Sequence, residues 1–168
     1  MKHIKKDYKF LLFSFFLVSI IFWFVEIIYS LIFRNIFVLP GVWYGPYCPI
    51  YGLAFVLIML VFKKNGNIFF NILKIALTVT ITEYVISYIS EKTFNNIIWN
   101  YSDKFLNLNG RICLEMSLVF TFAGIIMMYL LAPIIEKLYK KLGKSTKYIN
   151  IVLSILMLID MIITLTLK

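Results

Sequence analysis

FLLFSFFLVSIIFWFVEIIYSLIF, residues 10–33, holds 24 residues with no basic group and one carboxylate, Glu26. At 1.5 Å per residue such a helix reaches about 36 Å, more than the roughly 30 Å hydrocarbon core of a bilayer. Lys2, Lys5, Lys6 and Lys9 precede it. The run is longer than the core of a signal peptide and no small-residue cleavage site follows, so it is expected to stay as a spanning helix.

The rest of the chain has the same character. Of 168 residues, 62% are hydrophobic and 15% charged, which excludes an ordinary soluble domain and predicts an all-α integral membrane bundle. Further apolar runs predict spans over 47–62, 68–89, 112–135 and 149–167, five in all with 10–33, in a single membrane domain. The second is short, and Pro49 suits the first turn of its helix. This length leaves no room for a built-in ATPase, and neither a GxxxxGK[ST] nor a GxGxxG sequence occurs.

The formal charge is +9, with the lysines in short blocks between apolar runs, so membrane lipid rather than nucleic acid is the expected counter-charge. Twelve basic residues fall on one side of the five-span scheme: four in the N-terminal tail, Lys63, Lys64 and Lys74, and Lys137, Lys140, Lys141, Lys144 and Lys147. Five fall on the other: Arg34, Lys92, Lys104, Arg111 and Lys168. The excess predicts the N-terminus inside and the C-terminus outside, with outer loops over 34–46 and 90–111. The only histidine is His3, so neither a histidine-held metal nor a His-based triad is expected, and no cofactor is called for.

Three of the four prolines and three of the seven glycines lie in LPGVWYGPYCPIYG, residues 39–52, which predicts a shaped, non-helical outer loop. The second outer loop mixes Trp99, Tyr101 and Phe105 with Asn and Asp, the composition of a segment at headgroup depth or folded back into the protein. Tyr44, Tyr47, Tyr51, Trp99 and Tyr101 crowd this face either as an interfacial belt or as a ligand cage.

Acids inside apolar runs cost about 2.5–3.5 kcal/mol on insertion scales and are usually functional. Glu26 shares a helix face with Ser19, Trp23 and Ser30, and Glu83 shares one with Thr80, Ser87 and Ser90. Glu115 follows Arg111 by four residues, so an ion pair between them is expected at the outer boundary. Asp160, near Thr164, has no cationic neighbour in sequence. Glu26, Glu83 and Glu115 are the candidate solute pathway, with Arg111 at its mouth. Alternatively, Glu83 and Glu115 serve as acid and base of a membrane enzyme acting on a lipid or envelope intermediate. Cys48 and Cys113 are either bridged on an oxidising face or two free thiols.

WYGPYCPIYG (43–52), TEY (82–84) and WNYSDKFLNLNGRICLEMSL (99–118), with an acid late in the first span, resemble the CmpB-like, type IV group of bacterial ABC-transporter permeases. The resemblance covers about residues 14–142 and leaves Asp160 outside it. It implies motif positions that include Glu26, Tyr44, Cys48, Tyr51, Glu83, Tyr84, Trp99, Tyr101, Asp103, Asn107, Asn109, Arg111 and Cys113. Asn100 and Lys104 depart from a pattern that more often has aspartate and proline. The resemblance implies a multi-pass subunit of the bacterial cytoplasmic membrane that binds or moves a solute and depends on a separate ATP-binding subunit. A second copy or a second membrane subunit would complete its pathway. A non-catalytic sensor or assembly factor is the remaining reading.

Overall fold

The computed structural model describes residues 7–41, 43–95 and 97–167, Phe94 by its backbone. Lys2, His3, Lys5, Lys6 and Lys168 of the charge reading lie outside them. Among the described residues the chain is all-α with five helices: α1 (Tyr8–Arg34), α2 (Pro49–Val61), α3 (Ile68–Phe94), α4 (Leu114–Leu142) and α5 (Ser145–Leu167).

Four of these, α1, α3, α4 and α5, are long and apolar enough to cross a membrane, not the five expected. The exception is α2. Its 13 residues reach only about 20 Å, because the prolines and glycines ahead of it keep residues 36–41 and 43–48 out of helix. The large apolar side chains facing outward, such as Phe24, Ile28 and Ile32 of α1 and Leu118 and Phe122 of α4, form the surface a bilayer would cover.

Polar side chains set the helix ends. Asp7 caps α1 by accepting from the Lys9 N–H (3.3 Å), and Asn67 caps α3 by accepting from the Phe69 N–H (2.8 Å). Both helices stop at an asparagine in left-handed conformation, Asn35 (φ 52°) and Asn95 (φ 50°), whose N–H returns to Ser30 O and Ser90 O respectively. α4 carries a π-helical turn over Met127–Leu131 directly before Pro133. A proline lacks an N–H and crowds the preceding turn, and a widened turn relieves both problems. The helix then runs on through Lys137–Lys141, where a polar turn was expected.

Packing divides the chain into two units, one of Leu57–Ile134 and the other of the residues before and after it. In the first-named unit α3 packs on α4. Gly124 permits the approach, since a Cβ there would stand 2.6 Å from Ile75 Cγ2. Asn71, almost fully buried, holds the turn after α2 by donating to Lys63 O (2.7 Å) and accepting from Lys63 N (3.2 Å).

In the other unit α1 packs on α5, and the ring of Tyr139 lies on Phe10 and Phe13. Asn150 donates to Lys9 O (2.9 Å). Ten residues further along each helix, Ser19 O accepts from Cys48 N (3.0 Å) and Asp160 accepts from Gly45 N (2.9 Å). The two helices therefore run side by side in the same direction. The segment after α1 turns back from Arg34 to Ser19, roughly 22 Å along the helix. α2 starts there. Gly52 then lies flat on α1, where any Cβ would collide with Ser19 Oγ and the backbone oxygen of Phe15.

Candidate functional site

The returning segment is irregular backbone at membrane depth, tolerable only where protein groups satisfy it. Asp160 satisfies two of its amides and α1 two more, Ile36 N donating to Ser30 O and Cys48 N to Ser19 O. The Asp160 carboxylate accepts from Tyr44 N (3.1 Å), Gly45 N (2.9 Å), the Tyr47 hydroxyl and Thr164 Oγ1 (3.3 Å). On the α1 side, Glu26 accepts from the Tyr51 hydroxyl and from Cys48 Sγ (3.8 Å), while Phe22 stacks on the Tyr51 ring at 5.0 Å between centroids. The stripe Ser19, Trp23, Glu26 and Ser30 does lie on the covered side of α1. Every oxygen of these two carboxylates thus has a partner in the loop or at the start of α2.

A different arrangement is built on α3. Glu83, Ser87 and Ser90 form a buried polar stripe, as their spacing predicts. The 97–112 segment folds over its end as a closed loop. Tyr101 N donates to Gly110 O (2.8 Å), Leu108 N to Ile112 O (2.9 Å) and Trp99 Nε1 to Arg111 O (2.9 Å). Asn107 ties the inside of the loop by donating to Ser102 O and Lys104 O, and Asn109 donates to the Tyr84 hydroxyl (3.0 Å). The departure at Asn100 keeps a turn-forming oxygen, because Asn100 Oδ1 accepts both Ser102 N (2.9 Å) and Ser102 Oγ (2.6 Å).

Arg111 pairs with Glu91, and its guanidinium lies over the rings of Tyr84 (5.6 Å) and Tyr88 (5.4 Å). Its Nε is buried without an acceptor. The expected pair with Glu115 is absent: α4 begins only at Leu114, so Arg111 sits in the preceding turn and the helical four-residue spacing does not apply. Glu115 instead pairs with Lys104 (3.2 Å) at an exposed site, and that hydrogen bond raises the Lys104 pKa.

Between the loop and α3 lies a cavity of about 180 Å³, lined by Ser87, Glu91, Ile97, Trp99, Asn100, Ser102, Asn109, Gly110 and Arg111. One turn below Ser87 on the same face is Glu83, 4% exposed, with both carboxylate oxygens unpaired. The Tyr101 hydroxyl is directed at it without completing a hydrogen bond of normal geometry. Burial, with Glu83 beside it, pushes the Tyr101 phenol above its ordinary range, so Tyr101 stays a donor.

Of the residues expected to share one pathway, the structure places Glu83 and Arg111 in a neighbourhood with Trp99, Tyr101 and Asn109, and Glu26 in one with Tyr51 and Cys48, beside the loop of Tyr44 and Tyr47. Asp103 stays at the exposed rim of its loop. Of the two acids read as a possible acid–base pair, Glu83 is buried in α3 and Glu115 is exposed against Lys104. Cys48 and Cys113 are both buried free thiols. Glu91 was missed, although it continues the stripe of Glu83 and Ser87 by one more turn, whereas Ser102 is among the motif positions the resemblance implies. Among the described residues no cluster of His, Cys, Asp or Glu is arranged to hold a metal.

Four long apolar helices and a returning loop held by the carboxylates of Glu26 and Asp160 define a multi-pass helical membrane protein. Residues 13–165 match the family described as "Putative ABC-transporter type IV", the CmpB-like group, and the chain belongs to it. The match takes in α5 and Asp160, where the resemblance in sequence was expected to stop near residue 142. No curated protein and no solved structure matches the chain.

Proposed function

We propose that this chain is the membrane subunit of an ABC-type transporter, binding a small polar solute beside Glu83 and moving it with a separately encoded ATPase. The observation that carries the reading is Glu83, a carboxylate 4% exposed in a spanning helix, faced by the Tyr101 hydroxyl and by no cation among the described residues. A carboxylate buried without a cation costs several kcal/mol, a cost a solute site offsets when a donor-bearing ligand or a proton occupies it. The cavity above it offers the side chains of Asn100, Ser102, Asn109 and Arg111 to such a ligand.

The lysine-rich ends of α1, α4 and α5 face the cytoplasm in this reading, on the positive-inside rule. Because α5 runs parallel to α1, the C-terminal end of α5 then faces outward. The half-length α2 and the returning segment before it together carry the chain back from the end of α1. A chain of this size is small for a whole pathway, so the reading includes a second copy or another membrane subunit.

Purification of the tagged chain from its native membrane in mild detergent, with mass spectrometry of co-purifying chains, tests the ATPase dependence. A stoichiometric ATP-binding chain is the expected result. Reproducible recovery without one overturns the ABC-type reading.

A further inference from the structure

We infer that the end of the bundle where α1 and α5 begin and α4 finishes is a binding site for one anionic phospholipid, whose phosphate is held by Lys144 and Lys147. A cavity of about 570 Å³ opens there, lined by Asp7, Lys9, Tyr139, Lys144, Thr146 and Lys147. That volume accommodates a phosphoglycerol-sized headgroup.

The cavity carries net positive charge, with Lys9, Lys144 and Lys147 lining it against one carboxylate, Asp7. Asp7 is engaged as the cap of α1, accepting from Lys9 N (3.3 Å), and Glu136, on the adjoining turn of α4, pairs with Lys140. Lys144 and Lys147 are exposed and form no ion pair with a described carboxylate. The cavity lies at the ends of spanning helices, the depth of the headgroups, where each lysine near an anionic surface contributes about 1 kcal/mol.

A second feature separates a lipid from free phosphate. From the cavity an apolar strip runs along α5 through Tyr148, Ile151, Val152 and Ile155, all 45–69% exposed. A polar head at the lysines and acyl chains on this strip match one amphiphile.

Native mass spectrometry of the full chain, titrated with phosphatidylglycerol and with phosphatidylcholine of the same acyl chains, tests this. One phosphatidylglycerol should be retained preferentially. The double variant Lys144→Gln, Lys147→Gln should weaken it about 20- to 30-fold, while Lys137→Gln, Lys141→Gln, which removes equal charge outside the cavity, should retain it. Equal retention of the two lipids overturns the proposal, as does equal loss in both variants. Displacement by millimolar inorganic phosphate also overturns it, because the ligand would then be the free anion.

Discussion

Asp160 on the last helix accepts a hydrogen bond from the backbone N–H of Gly45 at 2.9 Å, joining positions 115 residues apart. With Tyr44 N and the Tyr47 hydroxyl on the same carboxylate, this contact holds a loop that also meets α1 where Cys48 N donates to Ser19 O. Hydrogen bonds to a charged group are worth about 1.5–3 kcal/mol each. Asp160→Asn keeps one acceptor oxygen and should destabilise the protein by about 2–4 kcal/mol. A lowered melting temperature in detergent, with new protease cleavage between residues 36 and 48, checks it.

The flat contact of Gly52 on α1 leaves no volume for a side chain, and one of the opposing atoms is the Phe15 carbonyl oxygen, which cannot rotate away. Gly52→Ala should therefore cost about 2–3 kcal/mol despite the better helix propensity of alanine. Thermal unfolding against wild type measures it. Unchanged stability would show that α1 and α2 do not meet there.

Two acids that pair with basic residues of the 97–112 loop should behave differently. Glu91 neutralises an Arg111 side chain that is only 12% exposed, so Glu91→Gln should cost about 3 kcal/mol and speed hydrogen exchange over residues 99–112. Glu115→Gln removes an exposed pair with Lys104 and should change stability by less than about 0.5 kcal/mol.

Cys48 and Cys113 should each react with maleimide after denaturation without reductant, giving two labels per chain. In the folded protein both should label slowly, since both are buried. A mass that shifts only after reduction would show a bridge instead.

Reporter fusions at the two ends should report opposite sides of the membrane, because Asn150 meets Lys9 and, ten residues on, Asp160 meets the loop that reaches Ser19. Reporters on the same side would contradict the parallel course of α1 and α5.

What the sequence makes legible is local. The 10–33 run, the three other long runs and the polar stripe of Glu83 and Ser87 depend on spacing within one helix, and each appears where spacing puts it. The partners of Asp160 lie 113–116 residues away and leave no periodic trace, so a carboxylate without a nearby cation looks unsupported until the loop is seen to supply amide donors. Arg111 and Glu115 have helical spacing but no helix between them, since the turn through Asn109 and Gly110 occupies that stretch. The second apolar run fails as a span for a related reason: hydropathy registers its composition, whereas Pro46 and Pro49 fix where its helix can begin.

The claim that Glu83 serves solute handling rather than packing is tested most directly by solute profiling of cells that depend on this chain. Wild-type, deletion and Glu83→Gln strains with matched amounts of protein in the membrane would be compared. Glutamine preserves the shape of the side chain and removes its charge, so the account predicts that the Glu83→Gln strain shows the solute profile of the deletion at normal protein level. A clear difference between wild type and deletion, with Glu83→Gln indistinguishable from wild type, would contradict it.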